Sequence, residues 1–240
     1  MKENSYTFPN RIRNPLRVAR ALWRVTQDLS RTEDAAIVQI TFARSRRFAR
    51  FAQWDQVAKQ LSSDPRIDQV LKDRPRLGWI DIDALSQLPE GTLGRTFADH
   101  MGAKELDPNL VEPLPVDSPG SFVLAHFGET HDIWHLVTGY GMDELGEASL
   151  IGFYSAQFGQ APHFALLLGI LFLNTAFFRP ADFRRRMDAL TVGWEAGKSA
   201  DSLFGRDWAG LWDTPICEVR ESLGVKAEPV VVGEGIQAAA

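Results

Sequence analysis

The chain has 240 residues, enough for one sizeable domain, and its 45% hydrophobic and 24% charged residues are those of an ordinary folded protein, which excludes disordered, collagenous and simple membrane-bundle classes. A formal net charge of -5 supplies no overall positive field for a phosphate backbone, so nucleic acid is excluded as the main partner. The single cysteine, Cys217, allows no intrachain disulfide and suits a cytoplasmic location; with no histidine near it in sequence, it reads as a small buried hydrophobe rather than a nucleophile.

Helical periodicity runs through nearly every segment. The opening MKENSYTFPNRIRNP has no apolar core, so no secretory leader is expected. Leu16, Ala19, Leu22, Trp23, Thr26 and Leu29 mark one face of a predicted helix over 15–30, and one or two helices follow over 34–61, with Ile37, Ile40, Phe48, Phe51, Trp54, Val57 and Leu61 facing the core. Arginines at 11, 13, 17, 20 and 24, and at 44, 46, 47 and 50, read as solvated helix faces. Their functional alternative is a surface for anionic lipid headgroups or an acidic protein. Ser63-Asp64-Pro65 caps and starts the next helix. A short helix over 81–85 leads into the turn Leu88-Pro89-Glu90-Gly91-Thr92-Leu93-Gly94, then a helix over 95–102. The proline-rich stretch 106–120 reads as an internal connection.

A helix is predicted over 121–137, closed by Thr138-Gly139-Tyr140-Gly141, and a second from Met142 or Asp143 to Phe158. Ala161-Pro162 opens a strongly apolar helix over 164–178, too short to span a bilayer and read as a buried core helix, with a membrane-dipping helix as the alternative. The fold expected is all-α: a single helical domain over 1–227, with a flexible tail over 228–240.

The chemistry concentrates in HDIWHLVTGYGMDELGE. His131 and His135, four residues apart, project from one helix face one turn apart and can share a cation. Asp132 lies about 100° further round, as ligand, orienting group or proton shuttle. Glu147 arrives on the next helix after a glycine turn, so the candidate metal site sits on a helix-turn-helix hairpin made by His131, Asp132, His135 and Glu147. Two imidazoles with carboxylates suit zinc, and also iron or manganese. His100, His126 and His163 have no such partners and read as structural or supporting residues.

HDIWH followed by Glu147 resembles the H-D-x-x-H-x(11)-E signature of the coenzyme Q biosynthesis protein 4 family, of the ubiquinone pathway. LPEGTLGRTFADHM, LGEASLIGFYSAQFGQAP and WAGLWDTPICEVRESLGV resemble further segments of that family, so the motif-bearing part covers 88–225. The resemblance implies an all-helical fold, a homodimer, association with other ubiquinone-biosynthesis proteins on a membrane surface, and a cytoplasmic location peripheral to the inner membrane. It also implies zinc at His131, Asp132, His135 and Glu147, all four counted as catalytic, and removal of the ring carboxyl from a polyprenylated 4-hydroxybenzoate-type intermediate, by simple or oxidative decarboxylation. Such a polyprenylated aromatic substrate needs an apolar groove for its tail, for which Phe153, Phe158, Phe164, Leu167 and Leu171 are the candidates; plain helix packing is the alternative for each.

Two other functions fit the same residues. A non-catalytic scaffold would bind isoprenoid lipid and neighbouring enzymes, with the metal bracing the hairpin. A His-Asp type metal phosphohydrolase would recruit His100 and Asp188 or Asp201, and would leave Glu147 without a purpose.

Overall fold

The computed structural model describes residues 54–109, 113–159 and 162–226 (for 162 and 163 the backbone alone), together with residues 19–21, 23, 24 and 27. The six residues between 19 and 27 are helical, as the periodicity predicts. The remainder of the predicted helices before Trp54, and the tail expected over 228–240, lie outside the described residues.

Every regular element among the described residues is helical. In chain order these are α1 (Trp54–Leu61), α2 (Pro65–Asp73), α3 (Ile82–Leu85), α4 (Leu93–Ala103), α5 (Pro119–Thr138), α6 (Glu144–Phe158), α7 (Pro162–Phe178), α8 (Phe183–Ser199) and α9 (Ile216–Ser222). Short 3-10 turns precede α8 and α9, and one isolated bridge pairs Thr92 with Pro215. The starts are written in the sequence. Asp64 accepts the Arg66 amide at 2.9 Å with Pro65 in the first turn, and Asp81, Thr92 and Asp143 cap α3, α4 and α6 in the same way. Ser118 and Ser121 form a reciprocal cap with Pro119 in the first turn, so α5 starts two residues before the predicted 121.

α5 is the central helix of the described residues. Phe122, Val123, Phe127, Ile133, Trp134 and Val137 are all buried, on several sides of the helix, and α1, α2, α4, α6 and α9 pack around it. Its first turn meets α1 so closely that a β-carbon on Gly120 would overlap the Asp55 backbone. The Asp55 carboxylate there accepts the Gly120 amide and the Ser118 hydroxyl, both at 2.9 Å, satisfying donors that a helix start leaves open.

α6 and α8 are joined by a seam of glycines. A β-carbon on Gly152 would overlap the Leu190 carbonyl, and one on Gly193 the Ser149 carbonyl, so the two backbones touch directly. Fully buried Arg186 of α8 reinforces the pair, donating to Asn174 and to Thr175 of α7 and to Glu144 in the first turn of α6.

Two expectations are corrected. α7 is a half-buried helix, not a core helix: Phe164, Ile170, Leu171, Asn174 and Thr175 are buried, on the side that meets α6 and the Arg186 and Ala189 side chains of α8, while Leu166, Phe172, Leu173 and Phe177 are exposed. Cys217 is exposed, because α9 buries the face carrying Val219 and Leu223, and Cys217 lies roughly 200° round the helix from Val219. No helix among the described residues is long and apolar enough to cross a membrane.

Candidate metal centre

The centre is built by the end of α5, the start of α6 and the turn between them. Gly139 ends α5 in the left-handed region at φ 76°, with its amide on the His135 carbonyl at 2.9 Å. The chain then folds back until the Gly141 carbonyl lies against the α-carbon of Gly146, where any β-carbon would collide with it. Asp143 caps α6 by accepting the Gly146 amide at 2.8 Å. Glu147 is thereby delivered in the first turn of α6, where the helix dipole favours an anion.

The three side chains converge. His135 Nδ1 donates to the Tyr140 carbonyl at 3.1 Å, which turns Nε2 toward the site. That Nε2 lies 3.2 Å from His131 Nε2 and 3.2 Å from Glu147 Oε1, and one donor atom from each of the three residues lies within 4.8 Å of the others. Ligands bound at ~2.0–2.1 Å at the corners of a tetrahedron stand roughly 3.3 Å apart. The two measured edges match that spacing, so the residues present fit a divalent cation with three protein donors.

The electrostatics follow from burial and proximity. Burial pulls the His131 imidazole down and the charge on His135 adds to this, outweighing Glu147 and Asp132. Burial pulls His135 down as well, but its hydrogen bond to Glu147 and that residue's charge, helped by the Tyr140 carbonyl, leave it raised. Burial pushes the Glu147 carboxyl up, and the two histidines overcome it and hold it below its ordinary value. The result is an anion paired with an imidazole, a charge distribution a cation can replace.

Of the four residues expected from the sequence, His131, His135 and Glu147 are brought together. Asp132 stands outside the converged group, close enough for its charge to act on both histidines. His100 of α4 comes to the rim, its Nε2 3.0 Å from Met142 Sδ and its charge balance set by burial and then by Asp132. Asp188 and Asp201 do not join the group, and Asp201 pairs with Arg206 instead. Sequence reasoning missed Tyr154, whose hydroxyl lies 3.0 Å from His131 Nδ1; its place seven residues after Glu147, on the same face of α6, was the available signal. The Tyr140 carbonyl is a backbone group and gave no signal.

Of the five tail-groove candidates, Phe153, Phe158 and Phe164 are buried in the main core, and Leu171 lies in a second cluster with Ala148 and Ala189. Leu167 is partly buried against the main core.

The family model of coenzyme Q (ubiquinone) biosynthesis protein Coq4 matches residues 29–229, beginning well before the motifs at 88. The mitochondrial ubiquinone biosynthesis protein COQ4 homolog of Rattus norvegicus is 29% identical over 176 residues, 71% of this chain and 64% of the rat protein. The mitochondrial ubiquinone biosynthesis protein COQ4 of Coprinopsis cinerea is 30% identical over 173 residues, 69% of this chain and 57% of the fungal one. The chain thus matches about three-fifths of the length of these relatives. Among solved structures, a Nostoc punctiforme protein provisionally assigned to ubiquinone biosynthesis superposes with a TM-score of 0.73 at 25% identity, covering 88% of this chain and 96% of its own.

Proposed function

From the premise that the chain belongs to the coenzyme Q (ubiquinone) biosynthesis protein Coq4 family, we propose that it is a metal-dependent carboxy-lyase that removes the ring carboxyl of a polyprenylated 4-hydroxybenzoate-type intermediate. The observation that carries this reading is the spacing of His131 Nε2, His135 Nε2 and Glu147 Oε1, with 3.2 Å along both measured edges. Two imidazoles and a carboxylate with an open fourth position are the donor set of a catalytic zinc site, and zinc is the metal we assign.

A divalent cation held there would supply a Lewis acid toward the ring carboxylate. The chain's own residues do the rest. His135 is oriented by the Tyr140 carbonyl, and Glu147 is fixed by the cap on α6. In the reaction the bond from ring to carboxyl carbon breaks, its electron pair stays with the ring carbon, and a proton takes the place of the departing carbon dioxide. Asp132, beside the converged group and not within it, is the residue we assign to carry that proton, with direct ligation as its other role. The prenyl tail is assigned to the side of α7 near Phe164 and Leu167, with Phe153, Phe158 and Leu171 behind it.

The same reading includes a homodimer working with other ubiquinone-biosynthesis proteins at a membrane surface. The exposed Leu166, Leu173 and Phe177 of α7, beside exposed Arg184 and Arg185, support peripheral contact.

The test is metal analysis of the purified protein joined to a decarboxylation assay on a short-chain prenyl-4-hydroxybenzoate, with and without dioxygen. We expect bound zinc, carbon dioxide release in both atmospheres, and loss of both metal and activity in His131→Ala. Normal product formation by a metal-free His131→Ala protein would remove the catalytic claim, and release only with dioxygen would replace simple by oxidative decarboxylation.

A further inference from the structure

The two histidines of the centre are held from behind by different groups. Behind His135 stands a backbone carbonyl, that of Tyr140, which can only accept and therefore fixes the proton on Nδ1. Behind His131 stands the Tyr154 hydroxyl, 3.0 Å from Nδ1, which can either donate or accept.

A cation takes the lone pair of Nε2, so an imidazole that binds through Nε2 must carry its proton on Nδ1. For His131 the group that receives that proton is the Tyr154 oxygen. The phenol is well placed to hold it. Tyr154 is only 2% exposed, and its ring lies nearly parallel to the imidazole, at 17°. Phe127, Trp134, Phe158 and Phe164 pack around it, with ring centroids 4.5–6.2 Å away. The oxygen is therefore fixed by packing on α5, α6 and α7 and not by a mobile side chain. Its bond to His131 is the only hydrogen bond it makes among the described residues.

We propose that Tyr154 is a positioning residue for the metal centre: its hydroxyl accepts the His131 Nδ1 proton and so aims the Nε2 lone pair at the cation. The inference rests on the metal reading of the site and is independent of the reaction assigned to it.

The variant that isolates the oxygen is Tyr154→Phe, which keeps the ring and its packing. Zinc affinity is measured by chelator competition on the wild-type and variant proteins, with the visible spectrum of the cobalt-substituted forms as a record of ligand geometry. Loss of such an outer partner is expected to weaken zinc binding by about 10–100-fold and to alter the cobalt spectrum while unfolding stability changes little. Equal affinity and equal spectra in the two proteins would overturn this inference alone. Absence of zinc affinity in the wild-type protein would overturn the metal reading together with it. Should Tyr154→Phe fail to fold, proton and nitrogen NMR of the zinc-loaded wild-type protein decides: a His131 Nδ1 proton hydrogen-bonded to the Tyr154 hydroxyl supports the assignment, and an Nδ1 proton with no coupling or proximity to that hydroxyl overturns it.

Discussion

His126 and His135 lie on the same helix and are almost equally buried, at 3% and 2% exposure, yet their imidazoles are driven in opposite directions. At His126 burial lowers the imidazole to about 4, and the surroundings are the rings of Phe122 and Phe204. Its Nε2 accepts the Gly205 amide at 3.3 Å, so protonation would set one N–H against another. At His135 burial also opposes charge, but Glu147 outweighs it. Burial alone makes a neutral structural histidine; a candidate ligand needs a second helix that brings an anion.

Removing each histidine in turn separates the two roles. His135→Ala is expected to lower zinc affinity by more than about 100-fold, beyond the loss that an outer partner causes. His126→Gln, which keeps an acceptor for Gly205, is expected to leave zinc affinity unchanged. Comparable losses in both variants, read by chelator competition, would mean that the centre depends on the whole of α5 and not on the converging donors.

Acid distinguishes the two histidines as well. Because the folded His126 sits at about 4 against an ordinary 6.5, the unfolded chain binds the extra proton between those values, and stability rises with pH across that window. The contribution is fully present above 6.5 and is lost as the pH falls to 4, where the loss amounts to about 3 kcal/mol. Urea unfolding of the wild-type and His126→Gln proteins between pH 7 and pH 4 should show a shallower acid loss in the variant. Parallel curves would contradict the assignment.

The smallest change acts on the element that brings Glu147. Gly193→Ala places a methyl group against the Ser149 carbonyl and must push α6 from α8, at a cost of about 1–3 kcal/mol. Because Glu147 rides on α6, zinc affinity should fall along with stability, while the pH dependence due to His126 should persist. A destabilised variant with wild-type zinc affinity would show that the start of α6 is held by its turn alone.

Much of this was legible in the sequence. Caps at Asp64, Asp81 and Asp143 and the glycine at 139 fixed helix boundaries to within a residue or two, because each supplies a local hydrogen bond or a left-handed backbone that its neighbours require. His131, His135 and Glu147 were readable because a four-residue spacing and a short glycine turn leave few geometries open. What escaped depends on contacts between distant segments. The outward face of α7 could not be seen in a helix that is apolar all round, since nothing in PHFALLLGILFLNTAFF marks which side α6 and α8 will cover. Cys217 was misjudged for a related reason: seven residues of α9 carry too short a pattern to show which face Val219 would bury. Asp55 receiving the α5 start, and Arg186 reaching Glu144, likewise join residues far apart in the chain.

Arg220 of α9 donates through Nε to the Val137 carbonyl at 3.1 Å and through Nη2 to the Leu136 carbonyl at 2.7 Å. These are carbonyls of the last turn of α5, immediately after His135, which a helix end leaves without partners of its own. A growing polypeptide on the ribosome therefore lacks the clasp for that turn until more than eighty residues beyond it have emerged. A chain truncated between Thr138 and Arg220 would carry the whole HDIWH motif and still leave its terminal turn to fray.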